Sequence, residues 1–290
     1  MQGCKGARVQ GKGARVERER KVKVREVACK SALSRSRLSG LDYALNPYKG
    51  CEHGCLYCYS PAVIHYEGRE GWGDFVEART NMPVLLSREL RRLPRGVVGI
   101  GTVTDPYQEA EREYRVTRHC LEQLLRKQWP VCIQTKSKNV VEDIGLIGQF
   151  KEKEVGFTFT TADDTLREWM EPSASSVGER LKALGALRDA DIPTFVFFGP
   201  VLPGLVEAGL EGLFTFMAQM SVGRVLVDRL RMHPGIWERM RPCLTARRPE
   251  LVSAYEAVLF GSPEEYEQLL VEIADTARRA GVSSVVVERP

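Results

Sequence analysis

From Leu41 onward, short apolar runs alternate with stretches whose apolar residues recur at helical spacing. The runs Tyr43 to Leu45, Val97 to Val103, Val131 to Thr135, Val155 to Thr161, Pro193 to Phe198 and Val225 to Val227 read as buried strands. Between them, Pro83 to Leu93, Arg115 to Lys127, Val141 to Lys151, Val177 to Ala190 and Glu207 to Met220 read as helices; Leu86, Leu90 and Leu93 line one face of the first. Strands that are apolar throughout, joined by helices of this length, point to parallel βα units with both sheet faces covered. Six such units run to about Val227. The segments Pro234 to Met240, Glu250 to Leu259 and Glu264 to Ala280 read as a helical extension, and Ser284 to Val287 as a last strand. The pattern fits a doubly wound sheet or a full or partial barrel. In each case the polar residues at the C-terminal ends of the strands form the site. Here those residues are Thr102, Thr104, Asp105, Lys136, Ser137, Thr158, Thr160 and Thr161.

Charge separates the first residues from this pattern. Residues 1–37 hold 12 Lys+Arg against 3 Glu, a net of +9, whereas the chain as a whole is +4. The segment repeats Lys-Gly-Ala-Arg-Val at residues 5–9 and 12–16. It has few large apolar groups with which to offset its ordering entropy, so it reads as a flexible basic arm. Within it, Val22 to Val27 alternates and can form a short edge strand. The arm (1–37), a core (38–228) and a helical C-terminal extension (229–290) are the expected divisions. No apolar run approaches the ~20 residues that cross a bilayer, and the basic start lacks the apolar stretch of a secretory signal. A cytoplasmic protein with reduced thiols is the expectation.

The cysteines then locate the chemistry. Three of the eight fall within Cys51-Glu52-His53-Gly54-Cys55-Leu56-Tyr57-Cys58-Tyr59, directly after the first core strand. Three thiolates at C-x3-C-x2-C spacing can bind zinc, with His53 or His65 completing a Cys3His set, or an iron–sulfur cluster with one iron left open. Gly50 and Gly54 let the backbone wrap closely around the bound group. Cys120 and Cys132 sit among apolar residues and read as core thiols.

The loop resembles the signature of the radical S-adenosylmethionine (radical SAM) superfamily, with aromatic Tyr57 before the third cysteine. The longer string Asn46-Pro47-Tyr48-Lys49-Gly50 leading into Cys51 is similar to the spore photoproduct lyase-like branch. So are Gly101-Thr102-Val103-Thr104-Asp105-Pro106-Tyr107-Gln108, Thr117-Arg118, Leu121-Glu122, Glu171-Pro172 and Arg180-Leu181. The likeness runs from about Leu33 to Leu205. It implies a partial (β/α)6 TIM-type barrel and an enzyme carrying one 4Fe-4S cluster on Cys51, Cys55 and Cys58. S-adenosylmethionine would chelate the fourth iron, and a 5′-deoxyadenosyl radical would abstract hydrogen from substrate. The resemblance implies that Tyr57 and Tyr59 lie near the adenine and cluster. Thr102, Thr104 and Asp105 would sit on the segment that meets the methionine amino group. Lys136 would pair with the methionine carboxylate, and Thr158 or Thr160 would bond the ribose. It also implies an external electron donor of the flavodoxin or ferredoxin type.

Spore photoproduct lyases return a hydrogen atom through a cysteine near the end of the second strand. Thr102 occupies that place here, and a hydroxyl gives up a hydrogen atom less readily than a thiol. Cys243 and Tyr59 are the remaining hydrogen-donor candidates. Arg229, Arg231, Arg239, Arg241, Arg247 and Arg248, with Trp237 and His233, form an Arg-rich stretch. Together with residues 1–37 it could hold a nucleic acid through its phosphates. A small metabolite or a protein substrate, or a non-catalytic zinc or iron–sulfur nucleic-acid-binding protein, are the alternatives.

Overall fold

The computed structural model describes residues 22–206, 208–260 and 264–287. In chain order the elements are β1 (Lys23–Val27), β2 (Leu33–Arg35), β3 (Tyr43–Leu45), β4 (Tyr48–Lys49), α1 (Ser60–Val63), β5 (Phe75–Arg79), α2 (Met82–Glu89) and β6 (Val98–Ile100). There follow α3 (Ala110–Tyr114), α4 (Val116–Arg126), β7 (Val131–Thr135), α5 (Ile144–Ile147), β8 (Lys153–Phe159), α6 (Asp164–Met170), α7 (Val177–Asp189) and β9 (Thr194–Val201). The chain ends with α8 (Leu210–Gln219), β10 (Arg224–Arg229), α9 (Ile236–Arg247), α10 (Glu250–Phe260), α11 (Glu264–Arg279) and β11 (Val285–Val287).

The main sheet has the order β11-β10-β9-β8-β7-β6-β3-β2. Every pairing in it is parallel except β2 on β3. From β3 to β10 the spatial order follows the chain order without a reversal, and the two end strands do not meet. That is the winding of a partial barrel, not of a doubly wound sheet. The six expected βα strands are all present, because each is apolar enough to be covered on both faces. Val98, Ile133, Val155, Phe157, Val196, Phe198, Val225 and Val227 are fully buried along it, each such side chain contributing about 1.5–3 kcal/mol of transfer free energy.

Three features depart from the sequence reading. Strand β5 had no counterpart in it; it pairs in parallel with β1 and antiparallel with β4 to make a second, three-stranded sheet. The basic arm expected over residues 1–37 is not an arm throughout: β1 forms at the edge of the second sheet, where Val22 to Val27 was expected as a short edge strand, and β2 lies on the edge of the main one. Most of the arm's charge lies in residues 1–21, outside the described residues. Helix α9 runs past Met240 through Pro242 to Arg247, because Met240 and Leu244 are both buried and keep the turn packed beyond the proline.

Helix α11 closes the extension. Its Tyr266, Leu270, Ile273, Ala274 and Ala277 are buried, with Glu264, Glu265 and Glu267 in its first turn and Arg278 and Arg279 in its last, a charge order that opposes the helix dipole. The Tyr266 hydroxyl donates to the Val201 carbonyl at 2.5 Å and accepts from Leu230 N at 2.5 Å, so the extension is fastened to the ends of β9 and β10. Among the described residues no helix is long and apolar enough to cross a membrane.

Candidate active site

The cysteine loop leaves β4 at Gly50, whose φ is +83°. A Cβ there would lie 2.3 Å from the Phe75 carbonyl oxygen, so only glycine gives both the backbone angle and the clearance. Beyond it the loop is tied down at successive backbone groups. Gln108 Nε2 donates to the Gly50 carbonyl at 3.4 Å, and Gln108 Oε1 accepts from Glu52 N at 2.9 Å. Glu52 in turn accepts from Ala110 N at 2.7 Å. Ser173 N donates to the His53 carbonyl, and Leu56 N to the Met170 carbonyl at 2.9 Å. Arg239, on α9, donates from Nε to the Leu56 carbonyl at 3.1 Å and from Nη2 to the Cys58 carbonyl.

Cys51 and Cys55 are buried and Cys58 half-buried, all three as free thiols. Burial pushes the Cys51 thiol well above its ordinary range, and Asp105 and Cys55 push it further. Burial likewise takes Cys55 up to about 12, against an opposing pull from Lys136. Thiols gathered in one loop, two of them raised by burial, form a donor set that ionises when a cationic centre sits among them. The donor set, its enclosure and the glycine-built turn therefore fit an iron–sulfur cluster. Neither histidine completes a zinc site. His53 turns Nδ1 to Asp105 at 3.4 Å, and His65 is exposed beyond α1. Among the described residues no three His, Cys, Asp or Glu side chains are placed to hold a single metal ion.

The strand ends face this loop. Asp105, after β6, spends both carboxylate oxygens inside the protein. Oδ1 accepts from Thr135 Oγ1 at 2.7 Å and Tyr107 N at 2.9 Å, and Oδ2 accepts from Lys136 N at 2.6 Å. Thr104 is buried and donates to the Tyr48 carbonyl at 2.9 Å. Lys136, after β7, sets its Nζ 5.7 Å from the Tyr57 ring centroid. Burial acts to lower its pKa, but Cys55 and Glu171 outweigh burial and hold it above the ordinary lysine value. The ammonium is thus kept charged.

Thr158 and Thr160, on and just after β8, join a buried network that the sequence reading gave no role. Gln134 Nε2 donates to Thr158 Oγ1 at 3.1 Å, and Arg180 Nη1 to the Thr158 carbonyl at 2.7 Å. Thr160 Oγ1 donates to Glu171 Oε1 at 3.2 Å, the same oxygen that takes the Tyr57 hydroxyl. Arg180 closes an ion pair on the other Glu171 oxygen. Burial alone would raise the Glu171 carboxyl pKa, yet Arg180 and Lys136 hold it below the ordinary range. The sequence signal was the pair of strings Glu171-Pro172 and Arg180-Leu181; charge in a helical region gave no hint of burial.

On the open side, Tyr59 is 42% exposed. It donates to the Thr102 carbonyl at 2.5 Å, with its ring 6.0 Å from that of His233. Asn46 Nδ2 donates to Thr102 Oγ1 at 3.0 Å. Cys243, on α9, has its Sγ 3.9 Å from the Trp169 carbonyl. The Arg-rich stretch is largely paired within the protein. Arg229 meets Glu267, Arg231 meets Asp228 at 2.6 Å, Arg241 meets Glu256 at 3.6 Å and Arg248 meets Glu250. Arg247 lies 4.9 Å over the Trp169 ring.

A family model for the radical SAM superfamily matches residues 45–217, which takes in the cysteine loop and the ends of β6, β7 and β8. The chain belongs to the radical SAM superfamily. It is therefore an enzyme of the class that uses a 4Fe-4S cluster and S-adenosylmethionine. It is 31% identical over 264 residues to an uncharacterized protein of Mycobacterium tuberculosis, covering 85% of this chain and 77% of that one. It is 28% identical over 187 residues to an uncharacterized protein of Methanocaldococcus jannaschii, covering 64% and 71%. Its fold is similar to that of spore photoproduct lyase complexed with dinucleoside spore photoproduct, with a TM-score of 0.65 at 14% identity over 91% of this chain and 81% of that one. It is also similar to Streptococcus suis SuiB bound to S-adenosylmethionine, with a TM-score of 0.56 at 12% identity over 85% and 50%.

Proposed function

We propose that Cys51, Cys55 and Cys58 hold the 4Fe-4S cluster and that the enzyme takes a hydrogen atom from a nucleic acid, in a lesion-lyase or base-modifying reaction. When bound, the cluster and S-adenosylmethionine supply one-electron cleavage of the sulfonium and the hydrogen abstraction that follows. The chain's own residues bind and orient. Lys136, kept charged beside Cys55, pairs with the methionine carboxylate by a charge-assisted bond. Asp105 positions it by fixing its backbone N–H. Thr158 or Thr160 faces the ribose from a strand end where Arg180 holds the Thr158 carbonyl and Glu171 takes the Thr160 hydroxyl. Tyr57 and Tyr59 flank the adenine and cluster.

The nucleic-acid reading is carried by the match over 91% of the chain to a fold that binds a dinucleoside photoproduct. It draws further support from the net charge of +9 on residues 1–37. Thr102, bonded to Asn46 and carrying no thiol, favours a net reaction other than thiol-returned dimer lysis. A second reading, a peptide or small-metabolite substrate, draws on the internal pairing of the Arg-rich stretch, which leaves few of those cations for phosphates.

The test is anaerobic reconstitution followed by dithionite and S-adenosylmethionine, with 5′-deoxyadenosine as the readout. Wild type should form it and Cys55→Ala should not. Single-stranded and ultraviolet-irradiated DNA should speed its formation, with a binding constant that falls steeply with salt. Salt-insensitive binding, unchanged on deleting residues 1–21, would shift the assignment to the second reading.

A further inference from the structure

Of the six arginines between 229 and 248, Arg239 has a different kind of partner from the others. Four meet a carboxylate and one lies over an indole ring. Arg239 gives its guanidinium to two carbonyl oxygens of the cysteine loop, those of Leu56 and Cys58. These residues are 183 and 181 positions away in the chain. The fork spans the peptide run Leu56-Tyr57-Cys58, a bridge that a planar guanidinium makes and a single ammonium does not. Among the described residues no carboxylate lies within ion-pair distance of Arg239.

The protein also makes room for this side chain. Gly235 precedes α9 with a φ of +84°, and a Cβ there would stand 3.1 Å from Arg239 Nη1. The turn into α9 is thus built on a residue that leaves the guanidinium free to reach the loop. A half-buried cation without a protein anion is costly unless another negative charge is close. Three thiolates carrying an iron–sulfur cluster are net negative, and one more electron makes them more so.

We propose that Arg239 is a positioning residue for the cluster: it clamps the backbone that carries the third cysteine and supplies a fixed positive charge that raises the reduction potential. The inference rests on the cysteine loop holding the cluster. Its physical basis is that cluster potential follows net charge, hydrogen bonding and exposure around the ligands. A fixed cation stabilises the reduced form more than the oxidised one, so the cluster accepts its one electron from a low-potential donor more readily. The charge comes from the C-terminal extension, outside the stretch 45–217 that the family model matches.

The experiment compares full-length wild type with Arg239→Met, Arg239→Gln and Arg239→Lys, each reconstituted anaerobically. Iron and sulfide per chain are counted. The midpoint potential is then measured by dithionite titration with electron paramagnetic resonance, without S-adenosylmethionine. The expected result is a cluster in every variant and, in the Met and Gln variants, about a tenfold fall in the reduced-to-oxidised ratio at a given potential. For one electron that is a shift of about 59 mV to lower potential. The Lys variant should keep most of the potential while its resonance line shape changes, since it retains the charge and loses the bridge. If Arg239→Met does not fold, the Gln and Lys variants carry the comparison, because only Gln drops the charge; equal potentials in those two overturn the proposal. A Met variant with a full cluster and a wild-type potential also overturns it. A wild type that takes up no cluster would instead refute the ligand assignment on which the inference depends.

Discussion

Arg180 and Glu171 form an ion pair sealed from water, their side chains 1% and 0% exposed. The pair is also satisfied on every side. Arg180 donates to the Ser175 carbonyl at 2.9 Å and to the Thr158 carbonyl at 2.7 Å, while Glu171 takes the Tyr57 and Thr160 hydroxyls. Because Tyr57 lies between Cys55 and Cys58, the pair joins the end of β8 and the start of α7 to the cysteine loop.

Removing one partner of such a pair strands the other charge in a dry site, which costs about 3–5 kcal/mol. Arg180→Met should lower the unfolding free energy of the cluster-free protein by that amount, read from urea titration. Arg180→Lys should recover little of it, because an ammonium cannot serve three acceptors set out for a planar fork. A Met variant within about 1 kcal/mol of wild type would mean that the pair does not hold the region together.

The same pair sets a pH dependence. The Glu171 carboxyl is held below its ordinary value, so its contribution is full above the unfolded carboxylate pKa of about 4.3. That contribution is lost as pH falls through the lower, folded value. The stability difference between wild type and Glu171→Gln should therefore be flat from about pH 7 to pH 5 and shrink below about pH 4. A difference that grows on acidification would contradict the shift and its cause.

Gly50 supplies a more local test. Gly50→Ala would put a Cβ 2.3 Å from the Phe75 carbonyl oxygen at a φ of +83°, a clash with backbone that no rotamer relieves. The loop should fail to seat, and reconstituted protein should take up well under half the wild-type iron with its far-ultraviolet circular dichroism retained. Gly212 in α8 is the control: a Cβ there meets nothing within 4 Å. Gly212→Ala should leave iron uptake unchanged and add about 0.5–1 kcal/mol of stability.

Much of this arrangement is legible in the sequence, for stated reasons. Val131–Thr135 reads correctly to the residue because its β-branched positions Val131, Ile133 and Thr135 alternate onto the buried face, and Pro130 and Lys136 bound the run. The loop at Cys51 is visible because thiols rarely cluster without a ligand. Phe75–Arg79 carries no such signal, because a five-residue strand shows its pattern only once β1 and β4 are beside it. Glu171 and Arg180 look like solvated helix charges until α6 and α7 fold over β8 and bury them together. Arg239 reads as one more cation in an Arg-rich stretch; its carbonyl partners lie more than 180 residues away, a separation no local pattern reports.

Asp105 and Lys136 offer the most discriminating test of the site. Asp105 accepts three hydrogen bonds, from Thr135, Tyr107 N and the Lys136 backbone, and His53 Nδ1 lies 3.4 Å from its Oδ2. In Asp105→Asn one oxygen becomes an NH2 group. Whichever way the amide turns, its NH2 then faces a backbone N–H donor, either Lys136 N or Tyr107 N. Losing one hydrogen bond to a charged acceptor costs about 1.5–3 kcal/mol, and the end of β7 should shift with the lysine it carries. S-adenosylmethionine binding to the reconstituted protein should weaken about tenfold, or about 1.4 kcal/mol, as measured by equilibrium dialysis. Lys136→Met should weaken it at least as much, and should also abolish the dependence on salt that a carboxylate contact brings. The two substitutions together should cost less than the sum of their separate effects, because Asp105 acts through Lys136. Strict additivity would mean that Asp105 touches the ligand independently. Full affinity in Asp105→Asn would mean that the lysine is placed by its strand alone.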